Sequence, residues 1–209
     1  MQNNDNDLLA DVAKYYDIKL AEHGDTPKGV DWNGEESQIL RFLKLSTILD
    51  EKNNFSLNDL GCGYGALYDF LAKKNEKFSY LGIDVSENMI RAAMLRHKDS
   101  SQARFILSKE PDHTSDYGIA SGIFNVRLGR SDDEWWAYLE ATLDILDKTS
   151  SIGFAFNCLT SYSDANKMHD YLYYANPGAL FDLCKRRYSR NVALLHDYGL
   201  YEFTILVRK

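Results

Sequence analysis

The chain has 209 residues, of which 44% are hydrophobic, and a formal net charge of −7. This charge argues against a sequence-independent grip on nucleic acid, which needs a basic surface. Three scattered cysteines, Cys62, Cys158 and Cys184, are too few for a disulfide framework or a zinc site. Because neither a targeting segment nor a membrane-spanning run is visible, we expect a soluble, cytoplasmic protein without a membrane partner.

The first predicted elements are two helices. Residues 7–20 place apolar side chains, among them Tyr16, on one helical stripe, and residues 35–50 repeat this pattern. Between them, residues 23–34 are rich in glycine, polar and aromatic residues and form a loop. The sequence therefore predicts a helical N-terminal segment ahead of the core.

From residue 55 onwards, strand patterns alternate with helical ones, which indicates a parallel sheet with crossover helices. Ser131 and Glu134 form a capping box at the start of one of these helices. A short helix begins at Asn176, and two final strand patterns are joined by a few residues around Gly199. So short a connection permits an antiparallel hairpin and excludes a parallel crossover. The predicted strands are 55–60, 80–85, 104–107, 117–124, 152–157, 192–198 and 201–207.

The run from Asp59 to Gly65 closes the first strand and opens a helix. Glycines allow a tight turn whose backbone lies directly against a ligand, because no Cβ stands in the way. Asp84 ends the next strand, where a carboxylate can hold two ribose hydroxyls. The pattern D-x-G-x-G-x-G differs from the dinucleotide fingerprint G-x-G-x-x-G, and its acid suits a cationic amino group better than a pyrophosphate.

This run resembles the first motif of class I S-adenosylmethionine (SAM) dependent methyltransferases, with Asp84 matching their ribose-binding acid. The resemblance extends from about residue 55 to the C-terminus. It implies an α/β, Rossmann-like, mostly parallel seven-stranded sheet with helices on both faces and a C-terminal antiparallel hairpin strand. We expect one domain over residues 1–209, with a helical lid at 1–52 and a SAM-binding core at 53–209.

The resemblance also implies a cofactor site at the carboxyl ends of the strands. Val85 and Met89 would pack against adenine, and Asn125 would border the methyl group. Arg41 would bind the cofactor carboxylate, for which a guanidinium is suited. The alternatives for the glycine run are an ordinary tight turn or a nucleotide-binding loop of another class. The residues predicted to bind SAM are Asp59, Gly61, Cys62, Gly63, Gly65, Asp84, Val85, Met89, Ser108, Lys109, Ser121 and Arg41.

The acceptor site is expected between the N-terminal loop and a tyrosine-rich insertion at residues 160–174. Aromatic faces and hydroxyls suit a polar small molecule, although these side chains could equally anchor the loop or pack on the core. After Asn125 the chain lacks the Pro-Pro-Tyr of DNA-amino methyltransferases, which argues against methylation of adenine or cytosine. It also lacks the paired acids of the metal-dependent catechol type, so we expect no metal. The predicted acceptor-binding residues are Tyr16, Trp32, Asn33, Tyr162, His169 and Tyr173.

Methyl transfer from a sulfonium is an in-line displacement that needs a base only when the acceptor is a neutral hydroxyl. His23 and His196 are the leading candidates for that base, and Asn125 is the third catalytic candidate. His97 and His113 are expected at the surface.

We therefore expect a SAM-dependent methyltransferase that acts at oxygen on a small polar acceptor, such as an anionic or sugar-type intermediate of cell-surface polysaccharide synthesis. The alternatives are methylation of RNA or protein, which a basic face around residues 185–190 would favour, and a non-catalytic SAM-binding partner protein. The fourth hypothesis, which the sequence favours least, is a dehydrogenase that uses a nicotinamide cofactor.

Overall fold

The computed structural model describes residues 2–50, 54–74 and 77–209, and a sheet of seven strands forms its centre. In chain order these are β1 (Phe55–Leu60), β2 (Phe78–Asp84), β3 (Ala103–Leu107), β4 (Ser115–Ala120), β5 (Ser150–Leu159), β6 (Asn191–Leu195) and β7 (Glu202–Arg208). Their order across the sheet is β3-β2-β1-β4-β5-β7-β6. The first five strands pair in parallel, and β7 runs antiparallel to both β5 and β6. The predicted mostly parallel sheet with a terminal hairpin is confirmed.

Helices cover both faces of this sheet. The helices are α1 (Gln2–His23), α2 (Glu35–Ser46), α3 (Ala66–Ala72), α4 (Glu87–Arg96), α5 (Asp132–Lys148) and α6 (Pro177–Arg187). Buried side chains of α2, α3 and α4 share one apolar cluster with the strands, and those of α5 and α6 share a second. Short 3-10 helices occur at Pro27–Val30 and Ala165–Lys167. Within the described ranges, no helix is long and apolar enough to cross a membrane.

The capping box predicted for α5 is present. The Glu134 amide donates to the Ser131 hydroxyl over 3.3 Å, and the Ser131 amide donates to the Glu134 carboxylate over 3.0 Å. Three acids in the first turn of α5 also complement the positive end of the helix dipole. At α6, the Asn176 side chain accepts from the amide of Ala179 over 3.0 Å. Both helices therefore begin where the sequence places them.

Two strands end several residues earlier than predicted. Strand β4 stops at Ala120 and not at residue 124, because Gly122 adopts φ +80° and donates its amide to the Asn157 side chain over 2.8 Å. Strand β6 stops at Leu195, so His196 lies beyond the strand in which the sequence pattern places it.

The connection from β3 to β4 is an extended crossover without a helix. It comprises only residues 108–114, although parallel strands usually need a dozen or more residues and a helix. The buried Asn58 of β1 holds its far end, donating to the His113 carbonyl over 3.0 Å and accepting from the Ser115 hydroxyl over 2.9 Å. The start of this crossover lies beside the end of β2, where the Ser108 amide donates to the Asp84 carbonyl over 3.0 Å.

Candidate functional site

A cavity of about 310 Å³ lies at the carboxyl ends of β1, β2 and β4. Ten of the twelve residues predicted to bind the cofactor line it, and the other two, Gly65 and Arg41, do not. Tyr16 and Trp32 also line it, as predicted for the acceptor site. The ten are Asp59, Gly61, Cys62, Gly63, Asp84, Val85, Met89, Ser108, Lys109 and Ser121.

The glycine turn after β1 forms the floor of the cavity. Gly61 has φ +77°, and a Cβ there would lie 2.1 Å from a side-chain carbon of Ile123. Its amide and the next one both donate to the Ile83 carbonyl, over 2.8 and 3.0 Å, which ties the turn to β2. Only glycine fits the first position of this turn without displacing its neighbours.

His97 supports the turn from below, which corrects the prediction that it lies at the surface. Its side chain is only 5% exposed, and its Nε2 lies 3.1 Å from the Gly65 carbonyl oxygen, to which it donates. The ring stacks on Phe105, and burial lowers its pKa. His97 directly follows α4 and lies four residues after the buried Ala93, so helical spacing was the sequence signal for its burial.

Asp84 is held at the end of β2 by backbone amides. One carboxylate oxygen accepts from the Gly63 amide and the other from the Ser86 amide, both over 2.9 Å. Burial raises its pKa, and these amide hydrogen bonds oppose that effect. The carboxylate is therefore fixed beside the turn, where ribose hydroxyls can reach it.

Asp59 presents an unpaired acceptor inside the protein. The residue is 2% exposed, and the Tyr80 hydroxyl donates to its Oδ2. Its Oδ1 is buried and has no hydrogen-bond partner among the described residues. Burial raises the pKa of this carboxyl to about 7, and the charge of Asp84 adds to the effect. A cationic or hydrogen-bond-donating ligand group would satisfy Oδ1.

Arg41 lies behind the cavity wall rather than in the cavity. It is 5% exposed and makes a bidentate ion pair with Glu202, with its Nε 2.8 Å from Oε2 and its Nη2 2.5 Å from Oε1. The guanidinium carbon also lies 3.8 Å from the ring centroid of Trp32. Its Nη1 is buried without a partner in the described structure. Binding of a cofactor carboxylate by Arg41 therefore remains a prediction that rests on this one free donor.

Helix α1 covers the cavity. Its stripe of Leu9, Val12, Ala13 and Tyr16 follows the helical spacing expected of one face, and all four residues line the cavity. The sequence pattern predicts this apolar face of α1, but of these four residues only Tyr16 was predicted to belong to the site.

Polar contacts hold the covering segment against the core. The Ser86 hydroxyl donates to Asp17 of α1 over 2.5 Å, and the same hydroxyl accepts from the Met89 amide to cap α4. Two ion pairs add to this, one between Arg130 and Asp11 at 2.6 Å and one between Arg96 and Asp25 at 2.5 Å. Burial raises the pKa of Tyr16. The cover is therefore attached to the core at three points, two on α1 and one just after it.

Two further sets of lining residues were not predicted. Gln38 of α2 donates to the Tyr64 hydroxyl over 3.2 Å, and both line the cavity. One face of α5 lines it as well, where burial raises the pKa of Tyr138 to about 12. The signal for this second set was again helical spacing, since the residues are Tyr138, Ala141, Thr142 and Ile145.

The predicted catalytic residues do not meet at the cavity. His23 and His196 are exposed, and none of the five histidines, all of which lie in the described ranges, lines it. Asn125 is 6% exposed, but its side chain accepts from the Leu159 amide over 3.1 Å and its carbonyl from the Tyr173 amide over 2.8 Å. Asn125 thus joins the insertion to the end of β5.

The remaining acceptor-side residues also lie away from the cavity. Tyr162 is 75% exposed, Asn33 and His169 are exposed, and Tyr173 packs beside Trp135. The structure brings Tyr16 and Trp32 together at the cavity and leaves these four outside it.

The basic cluster on α6 is engaged in local pairs. Arg186 bonds to Asp182 over 2.7 Å, Arg187 pairs with Asp144, and the Lys185 ammonium donates to a backbone carbonyl. These residues do not line the cavity. The charges of Arg186 and Arg187 are therefore already matched by neighbouring acids.

These features fit SAM. The unpaired Asp59 Oδ1 suits the ammonium of its methionine group, and the fixed Asp84 carboxylate suits its ribose. Ser121 adds a second buried polar atom to the lining that has no partner among the residues described. The glycine turn brings backbone close to the ligand between these groups.

Comparison with known proteins agrees with this assignment. A family model described as a methyltransferase domain matches residues 58–148. A protein of Mycobacterium tuberculosis strain H37Rv, whose name assigns it as a methyltransferase, is 64% identical over 162 residues, which are 78% of this chain and 98% of that protein.

Solved structures share the fold. The DhpI-SAM-HEP complex has a TM-score of 0.69 at 14% identity and covers 97% of this chain and 98% of its own. N-methyltransferase NodS from Bradyrhizobium japonicum WM9, in complex with S-adenosylhomocysteine (SAH), has a TM-score of 0.66 at 16% identity. The match covers 94% of this chain and 97% of NodS. With the sheet order, the glycine turn and the close relative in agreement, the chain belongs to the class I SAM-dependent methyltransferases and uses SAM as its cofactor.

Proposed function

We propose that the protein methylates an oxygen atom of a small polar metabolite. The observation that carries this proposal is the cover over the cavity, formed by α1 and by the N-terminal loop with Trp32. Three polar contacts hold that cover in place, and the cavity beneath it has a volume of about 310 Å³. A covered cavity of this size, which has to hold SAM and admit the acceptor, suits a small molecule better than a macromolecular surface.

The lining favours an oxygen that is already ionised. No histidine lines the cavity within the described ranges, the raised pKa of Tyr16 keeps that phenol protonated near neutral pH, and the Asp59 and Asp84 carboxylates are assigned to the cofactor. A neutral hydroxyl acceptor would need a base, whereas a carboxylate or phosphate would not. When bound, SAM supplies an electrophilic methyl group on its sulfonium. The residues of this chain then contribute alignment and exclusion of water, with Trp32 and Tyr16 as walls.

Two alternatives receive less support. Methylation of RNA or protein would be favoured by a basic face leading to the cavity, but Arg186 and Arg187 are paired with neighbouring acids. A non-catalytic SAM-binding partner protein would bind SAM without turnover of any acceptor. The role in cell-surface polysaccharide synthesis stays a prediction, since no feature of the cavity bears on it.

The test is methyl transfer to a panel of small acceptors in four matched groups, namely carboxylates, phosphate monoesters, neutral sugars and primary amines, with total RNA and protein assayed alongside. Product is detected by mass spectrometry, and SAH formation is measured in parallel. We expect turnover in the carboxylate or phosphate group. Turnover confined to amines would refute the choice of oxygen, and turnover confined to RNA or protein would refute the small-molecule assignment.

A further inference from the structure

A closed ring of contacts connects the N-terminal loop to the end of β4. The Gly122 amide donates to Asn157 Oδ1 over 2.8 Å, and Asn157 Nδ2 donates to Glu202 over 2.6 Å. Glu202 pairs with Arg41, whose guanidinium lies against the Trp32 ring. The ring of Trp32 in turn lies against Gly122, where a Cβ would come within 2.5 Å of it. Five residues from five separate parts of the chain thus form one circuit.

Glu202 is the centre of this circuit. Its side chain is 1% exposed, and its two oxygens accept from Arg41 on one side and from Asn157 on the other. Removing a partner from such a buried pair leaves an uncompensated charge. Glu202 therefore determines where the Arg41 guanidinium and the Asn157 amide lie, although it does not line the cavity itself.

Two of the five residues in the circuit form part of the cavity wall. Trp32 and Gly122 line the cavity next to Ser121, whose hydroxyl is buried without a partner in the described structure. A displacement of Glu202 would therefore move the cavity wall at two places. Arg41 would transmit it to Trp32, and Asn157 would transmit it to Gly122.

Tethering α2 to the terminal hairpin does not require this buried pair. Lys44, one helical turn after Arg41, already pairs with Asp197 in the connection between β6 and β7, over 3.1 Å and at the surface. Buried ion pairs are in general weak contributors to stability, and their best-attested role is to fix one arrangement. The position of the circuit at the cavity wall matches that role.

We propose that Glu202 is a positioning residue that holds Trp32 and Gly122 together as one wall of the SAM cavity. The inference concerns cofactor binding and is independent of the acceptor. Its test needs only SAH, so its failure is distinguishable from failure of the proposed acceptor chemistry.

The experiment measures three variants, namely Glu202→Gln, Trp32→Phe and the double variant that carries both. The control is Asp197→Asn, which removes only the surface pair. SAH affinity is measured by calorimetry, and the emission of Trp32 is obtained as the difference between proteins with and without it. We expect Glu202→Gln to weaken SAH binding about tenfold and to shift Trp32 emission to longer wavelength. The combined variant should bind SAH no more weakly than the weaker single variant, and Asp197→Asn should bind like the wild type.

An unchanged SAH affinity and emission in Glu202→Gln, with only a lower melting temperature, would overturn the proposal, as would strictly additive losses in the combined variant. If Glu202→Gln fails to fold, Gly122→Ala tests the circuit from its other end, because the new Cβ displaces the Trp32 ring while the Arg41 pair stays intact. The same emission shift and weaker SAH binding are then expected, and wild-type values for both would refute the proposal.

Discussion

Replacement of Asp59 by asparagine should stabilise the protein at alkaline pH and weaken its binding of SAH. The Asp59 carboxyl is buried, its Oδ1 has no partner in the described part of the chain, and its pKa is raised to about 7, chiefly by burial. Asparagine has nearly the same shape and can still accept the hydrogen bond from Tyr80, so the change removes mainly the ionisation.

The magnitude follows from the difference between the folded and unfolded pKa. The folded value lies above the ordinary value of 3.8, so the associated stability is fully present at low pH and is lost as pH rises through about 7. Each pKa unit corresponds to about 1.4 kcal/mol. Between pH 5 and pH 8 the wild type should therefore lose about 3 kcal/mol of unfolding free energy relative to Asp59→Asn.

The assay is urea unfolding of both proteins at several pH values from 5 to 8, with Asp99→Asn as an exposed control. Calorimetry with SAH over the same range gives the second readout. Wild-type affinity should rise about tenfold from pH 6 to pH 8 as Asp59 ionises, whereas the variant should bind weakly and show no such rise. A stability difference that stays constant from pH 5 to pH 8 would refute the reasoning, because Asp59 would then be ionised throughout.

Three further predictions concern the turn and the histidines. Gly61→Ala should abolish measurable SAH binding by calorimetry, because its Cβ would lie 2.1 Å from a neighbouring side chain, whereas Gly129→Ala, which has open space around it, should bind normally; normal binding by both would contradict the assigned turn geometry. His97→Ala should lower the unfolding free energy in urea by about 0.5 to 1.5 kcal/mol, because it removes a hydrogen bond to the Gly65 carbonyl, which then keeps only the 3.4 Å bond from the Asp69 amide; a change within error would show that the His97 bond does not stabilise the turn. His23→Ala and His196→Ala should leave SAH affinity and methyl transfer near wild type, since neither residue lines the cavity, and loss of turnover in either would restore it as a base.

The cofactor side of the site could be located from the sequence because it is local. The glycine turn, Asp84 and the segment after β3 each follow directly from a strand, and parallel strands bring their carboxyl ends to one edge of the sheet. Strand periodicity predicted this edge of the sheet, and the resemblance to class I methyltransferases supplied the cofactor residues, ten of which line one cavity.

The positions of the other predicted site residues depend on contacts that sequence spacing does not encode. Arg41 and Glu202 are 161 positions apart, so nothing near Arg41 in the sequence shows that its charge is already matched. The directions of His196 and Tyr162 depend on loop geometry after their strands end, which hydrophobic periodicity does not determine. His97 is different, since its spacing from Ala93 carried the signal and the prediction overlooked it.

The extended crossover between β3 and β4 makes this region suited to insertion. The closure entropy of a loop grows only slowly with its length, by about 0.6 kcal/mol for each doubling, so residues 108–114 could be lengthened at small cost. The register of β4 would be preserved as long as Asn58 kept its contacts with His113 and Ser115. Because Ser108 and Lys109 line the cavity, added segments would arrive directly at the rim of the cofactor site. New selectivity could thus be grafted here without rebuilding the sheet.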